Sequence, residues 1–236
     1  MSVDYIRKAV VTGASSGIGR EIAKQFAREG WHVLAVARRS DRLKALADEI
    51  DGGIVPFPCD LAADSGPGDV VAAAQERIGG IDLLINNAGV SWVAMMAEMS
   101  DQALERIMDL NVRALMRLCR ESIPQLKASE SGQIINVSSV AAHHPMESLA
   151  VYCASKAAVN MFSQVLAREL APVGIRVNVL SPPGTDTEIF EKAGVDMSDD
   201  ARAELIPAVD MARMAVLMTQ WPDSVDVGEV IVNRRP

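Results

Sequence analysis

Ala9-Val10-Val11-Thr12-Gly13-Ala14-Ser15-Ser16-Gly17-Ile18-Gly19-Arg20-Glu21-Ile22 is the stretch whose reading decides the fold. It opens as a short β-branched run, turns through glycines at 13, 17 and 19, and continues as an amphipathic helix to about Gly30. Glycines at these places allow a tight turn and a close backbone approach, and the helix start offers unpaired N–H groups to a pyrophosphate. A dinucleotide is implied. An ordinary strand-to-helix turn has the same outline, and the spacing is not G-x-G-x-x-G, so the motif gains weight from the company it keeps.

Outward from this unit the alternation repeats. Short β-branched runs at 9–12, 32–37, 54–58, 81–86, 133–138, 175–180 and 227–232 are separated by segments of helical period. Repeated strand–helix–strand units demand a parallel sheet with right-handed crossovers. Several of the strands are apolar at consecutive positions, as strands covered on both faces should be. The expectation is an α/β chain with a Rossmann-type, doubly wound parallel sheet of about seven strands, helices on both faces, and a single domain over residues 1–236. One stretch breaks the pattern: about residues 183–207 are rich in Pro, Gly and acidic residues, among them Asp196, Asp199 and Asp200. Lying beyond a strand's carboxyl end, it reads as a substrate lid.

Composition excludes several function classes. The 236 residues are 49% hydrophobic and 23% charged, which suits a sizeable core and not a disordered chain. No apolar run approaches the ~20 residues of a membrane span. Residues 1–8 carry charges of both signs and no apolar secretion segment, so the expected address is cytoplasmic. With 23 basic against 31 acidic residues the net charge of -8 opposes nucleic-acid binding. Cys59, Cys119 and Cys153 are odd in number and widely spaced and read as reduced thiols, and no metal-ligand pattern joins them to the histidines.

Asn86-Asn87-Ala88-Gly89 follows the fourth strand, Ser139 ends the fifth, and Tyr152-x-x-x-Lys156 begins thirteen residues after that serine. With Thr12-Gly13-x-x-x-Gly17-x-Gly19, in this order and spacing, they resemble the short-chain dehydrogenase/reductase family in its short single-domain branch, over nearly the whole chain. The resemblance implies hydride transfer between a nicotinamide cofactor and a small-molecule carbonyl, secondary alcohol or hydroxy acid. It implies a catalytic set of Asn111, Ser139, Tyr152 and Lys156, and no metal. It also implies cofactor contacts from Gly13, Ser15, Gly17, Ile18, Gly19, Arg38, Arg39, Asp60, Leu61, Asn87, Ala88, Gly89, Tyr152, Lys156, Pro182 and Thr187.

The chemistry of the residues supports these roles independently. Tyr152 and Lys156 lie four apart in the helical segment 151–171 and share one face. A phenol of pKa ~10 is ionised to about one part in a thousand at pH 7, too little for efficient proton exchange. An ammonium ~4 Å away favours phenolate by up to ~4 kcal/mol at an effective dielectric of 20. Ser139 can hold a substrate oxygen as charge develops. Ser138 is its rival, and reads as a cofactor or strand-end contact; Ala142 stands where the family often has glycine. The resemblance makes Asn111 a helix-disturbing residue that passes a proton through water to the lysine. It makes Asn86 to Gly89 both a sheet stabiliser and an adenine-ribose wall, and Asp60 an acceptor for the adenine amino group.

Cofactor choice is read from Val33-Leu34-Ala35-Val36-Ala37-Arg38-Arg39-Ser40. An acid at the end of this strand holds a ribose 2′-hydroxyl, whereas arginine accommodates a 2′-phosphate. Ala37 fills the acid's place and Arg38 follows, able to meet phosphate with two charge-assisted bonds. Ser15 can add a hydroxyl and Asp41 can partly neutralise the pair. NADP(H) is expected ahead of NAD(H).

Further readings remain open. Pro182-Pro183-Gly184-Thr185-Asp186-Thr187 admits two registers against the family's Pro-Gly, with Thr187 as the carboxamide contact and Thr185 as the alternative. The ending Val227-Gly228-Glu229-Val230-Ile231-Val232-Asn233-Arg234-Arg235-Pro236 lacks Val-Asp-Gly-Gly and resembles serine and 3-hydroxy acid dehydrogenase-like members. His143 and His144 are expected to border the substrate cleft. Met95, Met96 and Met99, after Trp92, suit an adaptable apolar pocket, core packing or a subunit contact. Met116, Leu118, Met161 and Phe162 lie outside one apolar stripe on segments 101–127 and 151–171. As relatives pair these helices, a homodimer or homotetramer is expected. The competing functions are an NAD-dependent alcohol dehydrogenase, a catalytically silent Rossmann redox sensor, which would usually have lost the tyrosine or lysine, and a sugar-nucleotide epimerase or dehydratase, whose Gly-x-x-Gly-x-x-Gly spacing is missing.

Overall fold

The computed structural model describes residues 5–195, 197–222 and 224–235; residues 1–4, Asp196 and Pro236, used in the readings above, lie outside the described residues. The chain runs β1 (Lys8–Thr12), α1 (Gly17–Arg28), β2 (His32–Ala37), α2 (Ser40–Glu49), β3 (Ile54–Pro58), α3 (Gly66–Ile78) and β4 (Leu83–Asn86). It continues through α4 (Asp101–Met108), a π-helical stretch Asp109–Ala114, α5 (Leu115–Ala128), β5 (Gln133–Val137), α6 (Ala150–Leu170) and β6 (Arg176–Ser181). Beyond β6 come β7 (Thr185–Asp186), α7 (Ile189–Lys192), α8 (Asp199–Ala203), β8 (Ile206–Pro207), α9 (Ala208–Leu217) and β9 (Glu229–Ile231).

Seven strands form one parallel sheet in the order β3-β2-β1-β4-β5-β6-β9. Successive strand residues point to opposite faces, and both faces are covered, which explains the unbroken apolar runs. Ala9, Val11, Val33, Ala35, Leu83 and Ile85 meet Ile22 and Phe26 of α1, Leu43 and Leu46 of α2, and Ala212 and Ala215 of α9. On the other face Val10, Leu34, Val36, Leu84 and Ile134 meet Val70 and Ala74 of α3, Leu118 of α5, and Val159 and Leu166 of α6. Each fully buried Leu or Ile contributes about 1.5–3 kcal/mol. Among the described residues no helix is long and apolar enough to cross a membrane.

The strand order reverses at β1, which is flanked by β2 and β4. Such a switch point opens a crevice beyond the carboxyl ends of the strands. Residues 13–19, 38–39, 60–61, 87–89, 139 and 182–187 all lie on segments that leave those ends.

Three expectations need correction. The stretch at 183–207 is not irregular: Thr185–Asp186 pairs with Ile206–Pro207, and two short helices lie between them. The segment 101–127 is not one regular helix, because the π-helical turns interrupt it. Leu118 is 1% exposed and belongs to the core, so it offers nothing to a second copy; Met161 and Val165, 61% and 48% exposed, are the large apolar side chains that α6 leaves uncovered.

Candidate active site

β1 and β4 are clasped at the switch point by Thr12. Its hydroxyl donates to the Ile85 carbonyl (3.3 Å) and accepts from the backbone N–H groups of Asn87 and Ala88 (3.0 Å each), while Asn87 Nδ2 donates to the Thr12 carbonyl (2.9 Å). The Asn86 amide continues inward, donating to Asn136 Oδ1 (2.8 Å), and Asn136 donates to Ser163 on α6 (2.8 Å). These buried polar groups are mutually satisfied, and so fix the strand ends that carry the site.

Above them lies a cleft of about 570 Å³. It is lined by Gly13, Ser15, Gly17, Ile18, Arg38, Arg39, Asp60, Leu61, Asn87, Ala88, Gly89, Ser139, Tyr152, Lys156, Pro182 and Thr187, as well as Ser138. Gly19 and Asn111, also expected in the site, do not line it. Gly19 packs beneath: a Cβ there would stand 2.6 Å from the Gly13 carbonyl oxygen, so only glycine lets α1 sit this close to β1. Gly13 has φ +69°, and a Cβ would fall 2.9 Å from Ala88 Cα. The N-cap of α1, Ser16, makes no side-chain cap. An uncapped helix start over a glycine turn fits a pyrophosphate, to which it offers N–H groups and the positive end of the helix dipole.

At the other end Tyr152, half-buried, and Lys156, buried, project from α6. Burial pushes the Tyr152 phenol above its usual value; a hydrogen bond with Ser139 opposes the rise, and the neighbouring Cys153 adds to it. Ser139 Oγ also accepts from the Ala141 N–H (3.1 Å), which fixes the turn after β5, whereas Ser138 Oγ is turned inward to the Lys156 carbonyl (3.3 Å). The lysine side chain reaches a carbonyl of β5. Its ammonium donates to the Val137 carbonyl (2.9 Å) and lies 5.8 Å from the Tyr152 ring centroid.

Burial lowers Lys156 from 10.5 to about 8. Between those values the unfolded chain holds a proton that the folded chain has shed, so stability from this group rises with pH from about 8 to about 10.5 and is flat outside that window. In urea titrations the wild type should gain on Lys156→Met by up to about 1.4 kcal/mol per pH unit there. Curves that stay parallel would show that the ammonium is not desolvated.

Asn111 lies in the π-helical stretch, a distortion common at functional sites. Its Oδ1 accepts from the Val90 N–H (2.9 Å) and its Nδ2 donates to the Val90 carbonyl (2.9 Å) and Ser155 Oγ (3.1 Å). A Cβ on Gly89 would lie 3.2 Å from Asn111 Oδ1 and 3.7 Å from Lys156 Nζ, so this glycine leaves room for both side chains.

Beside the end of β2 Arg39 donates to Ser15 Oγ (2.9 and 3.1 Å) and Ser16 Oγ (2.8 Å), and pairs with Glu188 at 3.0 Å. Arg42 pairs with the same carboxylate. Arg38 is exposed and has no ion-pair partner among the described residues. Asp60 Oδ1 accepts from the Ala62 N–H (3.1 Å), holding its own turn. Beyond β6 the Thr185 hydroxyl donates to the Pro183 carbonyl (3.0 Å), and a Cβ on Gly17 would stand 2.8 Å from the Thr187 methyl, so Thr187 rests on the glycine turn.

Neither histidine lines the cleft. His143 Nε2 meets Glu229 Oε1 at 2.7 Å, where Ser181 (2.5 Å) and Asn160 (3.0 Å) also donate. Sequence reading missed this cluster, Glu188 and the Thr12 clasp. Thr12 stood inside the quoted motif and could have been found from its hydroxyl at a strand end; Glu188 and Glu229 meet partners too distant in sequence for any local signal.

The profile of the short chain dehydrogenase family matches residues 7–198. An oxidoreductase of Staphylococcus epidermidis is 33% identical over 224 residues, which are 95% of each chain. A 3-ketoacyl-(acyl-carrier-protein) reductase from Brucella melitensis, solved with NADH, superposes with a TM-score of 0.87 at 30% identity over 95% of each chain. A short-chain dehydrogenase from Sphingobium yanoikuyae, solved with NADPH, gives 0.81 at 34% identity over 90% of this chain and 84% of its own. The chain belongs to the short-chain dehydrogenase/reductase family.

Proposed function

We propose that this chain is a single-domain NADP(H)-dependent oxidoreductase that interconverts a carbonyl and a secondary alcohol. The observation that carries the reading is one cleft that joins an uncapped helix start over a glycine turn to Ser139, Tyr152 and Lys156. Gly13, Gly17 and the first turn of α1 would hold a pyrophosphate, and Arg38, Arg39 and Ser15 a 2′-phosphate. A bound nicotinamide supplies or takes up the hydride at the reacting carbon. Tyr152 gives its hydroxyl proton to the carbonyl oxygen in reduction and takes it back in oxidation. Ser139 orients that oxygen, and Lys156 restores the proton balance from the cleft wall beside Asn111. The relatives solved with NADH and with NADPH do not favour either cofactor. The preference rests on Arg38, an unpaired cation at the end of β2, and on Ala37 where an acid would serve NAD.

The test is kcat/KM for NADPH and NADH across ketones, aldehydes and hydroxy acids. NADPH should lead by about tenfold or more, the value of one charge-assisted pair. A wild type that favours NADH makes the chain an NAD-dependent alcohol dehydrogenase, and no turnover despite cofactor binding favours the redox sensor. Exposed Met161 and Val165 on α6 suit isologous association. Light scattering at micromolar concentration should give the mass of a dimer or tetramer, and a monomer sinks that expectation.

A further inference from the structure

Resting on the reading above, we infer that the substrate is an uncharged carbonyl compound or secondary alcohol with apolar substituents, not a hydroxy or keto acid. Sheet order divides the cleft. The adenosine half lies over β1, β2 and β3, and carries Arg38, Arg39 and Asp60. The other half is built on segments leaving β4, β5 and β6. Val93, Met146 and Leu149 line it from the first two, and Phe190, Val195 and Met197 from the lid. Its polar lining is neutral: Ser91, Ser138, Ser139, Tyr152, Thr185 and Thr187 bring hydroxyls.

No cation is available there for an anion among the described residues. Lys156 is buried with its ammonium on the Val137 carbonyl, and is placed for the proton path. Arg39 and Arg42 are paired with Glu188 at the far end of the cleft, beside β2, and are not turned to this half. His143 and His144 lie outside the lining, and His143 is held by Glu229. A substrate carboxylate would lose its water among apolar side chains with nothing to pair it, an unfavourable transfer. Apolar substituents would gain from the same surroundings. The apolar character reaches the rim, where Val93 and Met146 are 39% and 38% exposed. Methionines on such a wall re-pack around substituents of different shape. This opposes the hydroxy acid among the expected substrates.

The experiment compares ethyl benzoylformate with benzoylformate, which share the reacting ketone and differ in one charge. With NADPH the ester should be reduced with a kcat/KM on the order of 10²-fold above that of the free acid. Met146→Arg should narrow the ratio about tenfold by improving the acid, since it places a cation at the rim. Equal use of the two compounds, or a preference for the acid, overturns the inference while leaving the oxidoreductase reading intact. Saturation-transfer NMR on the enzyme–NADP⁺ complex reads the same selectivity without turnover. Ester binding without acid binding supports the apolar site even if no hydride is transferred, in which case the oxidoreductase reading fails alone. Acid binding as strong as ester binding, or binding of neither, counts against the apolar site.

Discussion

Tyr152→Phe is expected to lower kcat by about 10²-fold or more with any accepted substrate while cofactor affinity is nearly unchanged. The substitution removes one oxygen from a ring held in place by α6, and leaves the glycine turn, the arginines and Ser139 where they are. What is lost is the proton that the substrate oxygen takes up in reduction. Burial raises the phenol's pKa, with Ser139 as its hydrogen-bonding counterweight, so on the proposed reading Tyr152 holds a proton to give to the substrate oxygen. Initial rates at saturating NADPH together with cofactor titration by fluorescence would check both halves. A variant that keeps most of its rate would remove Tyr152 from the proposed chemistry.

The central strands were legible because they bury both faces, and an apolar run bounded by glycine or proline has few other readings. The start of the fourth strand was not. The strand runs from Leu83, and ahead of it the Asp82 N–H donates to the Lys8 carbonyl (2.9 Å) while its carboxylate accepts the Lys8 N–H (2.8 Å), the Tyr5 hydroxyl (2.8 Å) and the Ser129 hydroxyl (2.6 Å), anchoring the strand's entry. A lone aspartate gives no sign of such partners. Helical spacing put Tyr152 and Lys156 on one face, but spacing does not say where an ammonium points, and here the nearest acceptor is a backbone carbonyl on β5. The break in segment 101–127 comes from Asn111, whose amide is drawn to Val90 and Ser155, partners 21 and 44 residues away. The stretch 183–207 gave the weakest signal because short two-residue pairs and four- or five-residue helices carry no periodicity to read.

Ala37→Asp combined with Arg38→Leu should change the NADPH to NADH ratio of kcat/KM by one to two orders of magnitude or more. A 2′-phosphate carries roughly -1.5 to -2 charges, and the chain's net charge of -8 opposes its approach, so binding depends on local cations. Two arginines are at hand, and their states differ. Arg39 is already bound to Ser15, Ser16 and the Glu188 carboxylate, so its charge is in part answered before any ligand arrives. Arg38 is exposed, lines the cleft and is unpaired among the described residues, so phosphate would gain most from it. Losing a charge-assisted pair costs about 1.5 to 3 kcal/mol, which is one to two decades of NADPH affinity. The new aspartate at the end of β2 adds an acceptor for a ribose hydroxyl and a negative charge against phosphate, so NADH gains while NADPH loses. Arg39→Leu alone should have the smaller effect, because the Arg39 charge is already in part answered by Glu188. If the double variant leaves the ratio where it was, Arg38 is a surface arginine and the 2′-phosphate, if bound at all, is held by Arg39 and Ser15.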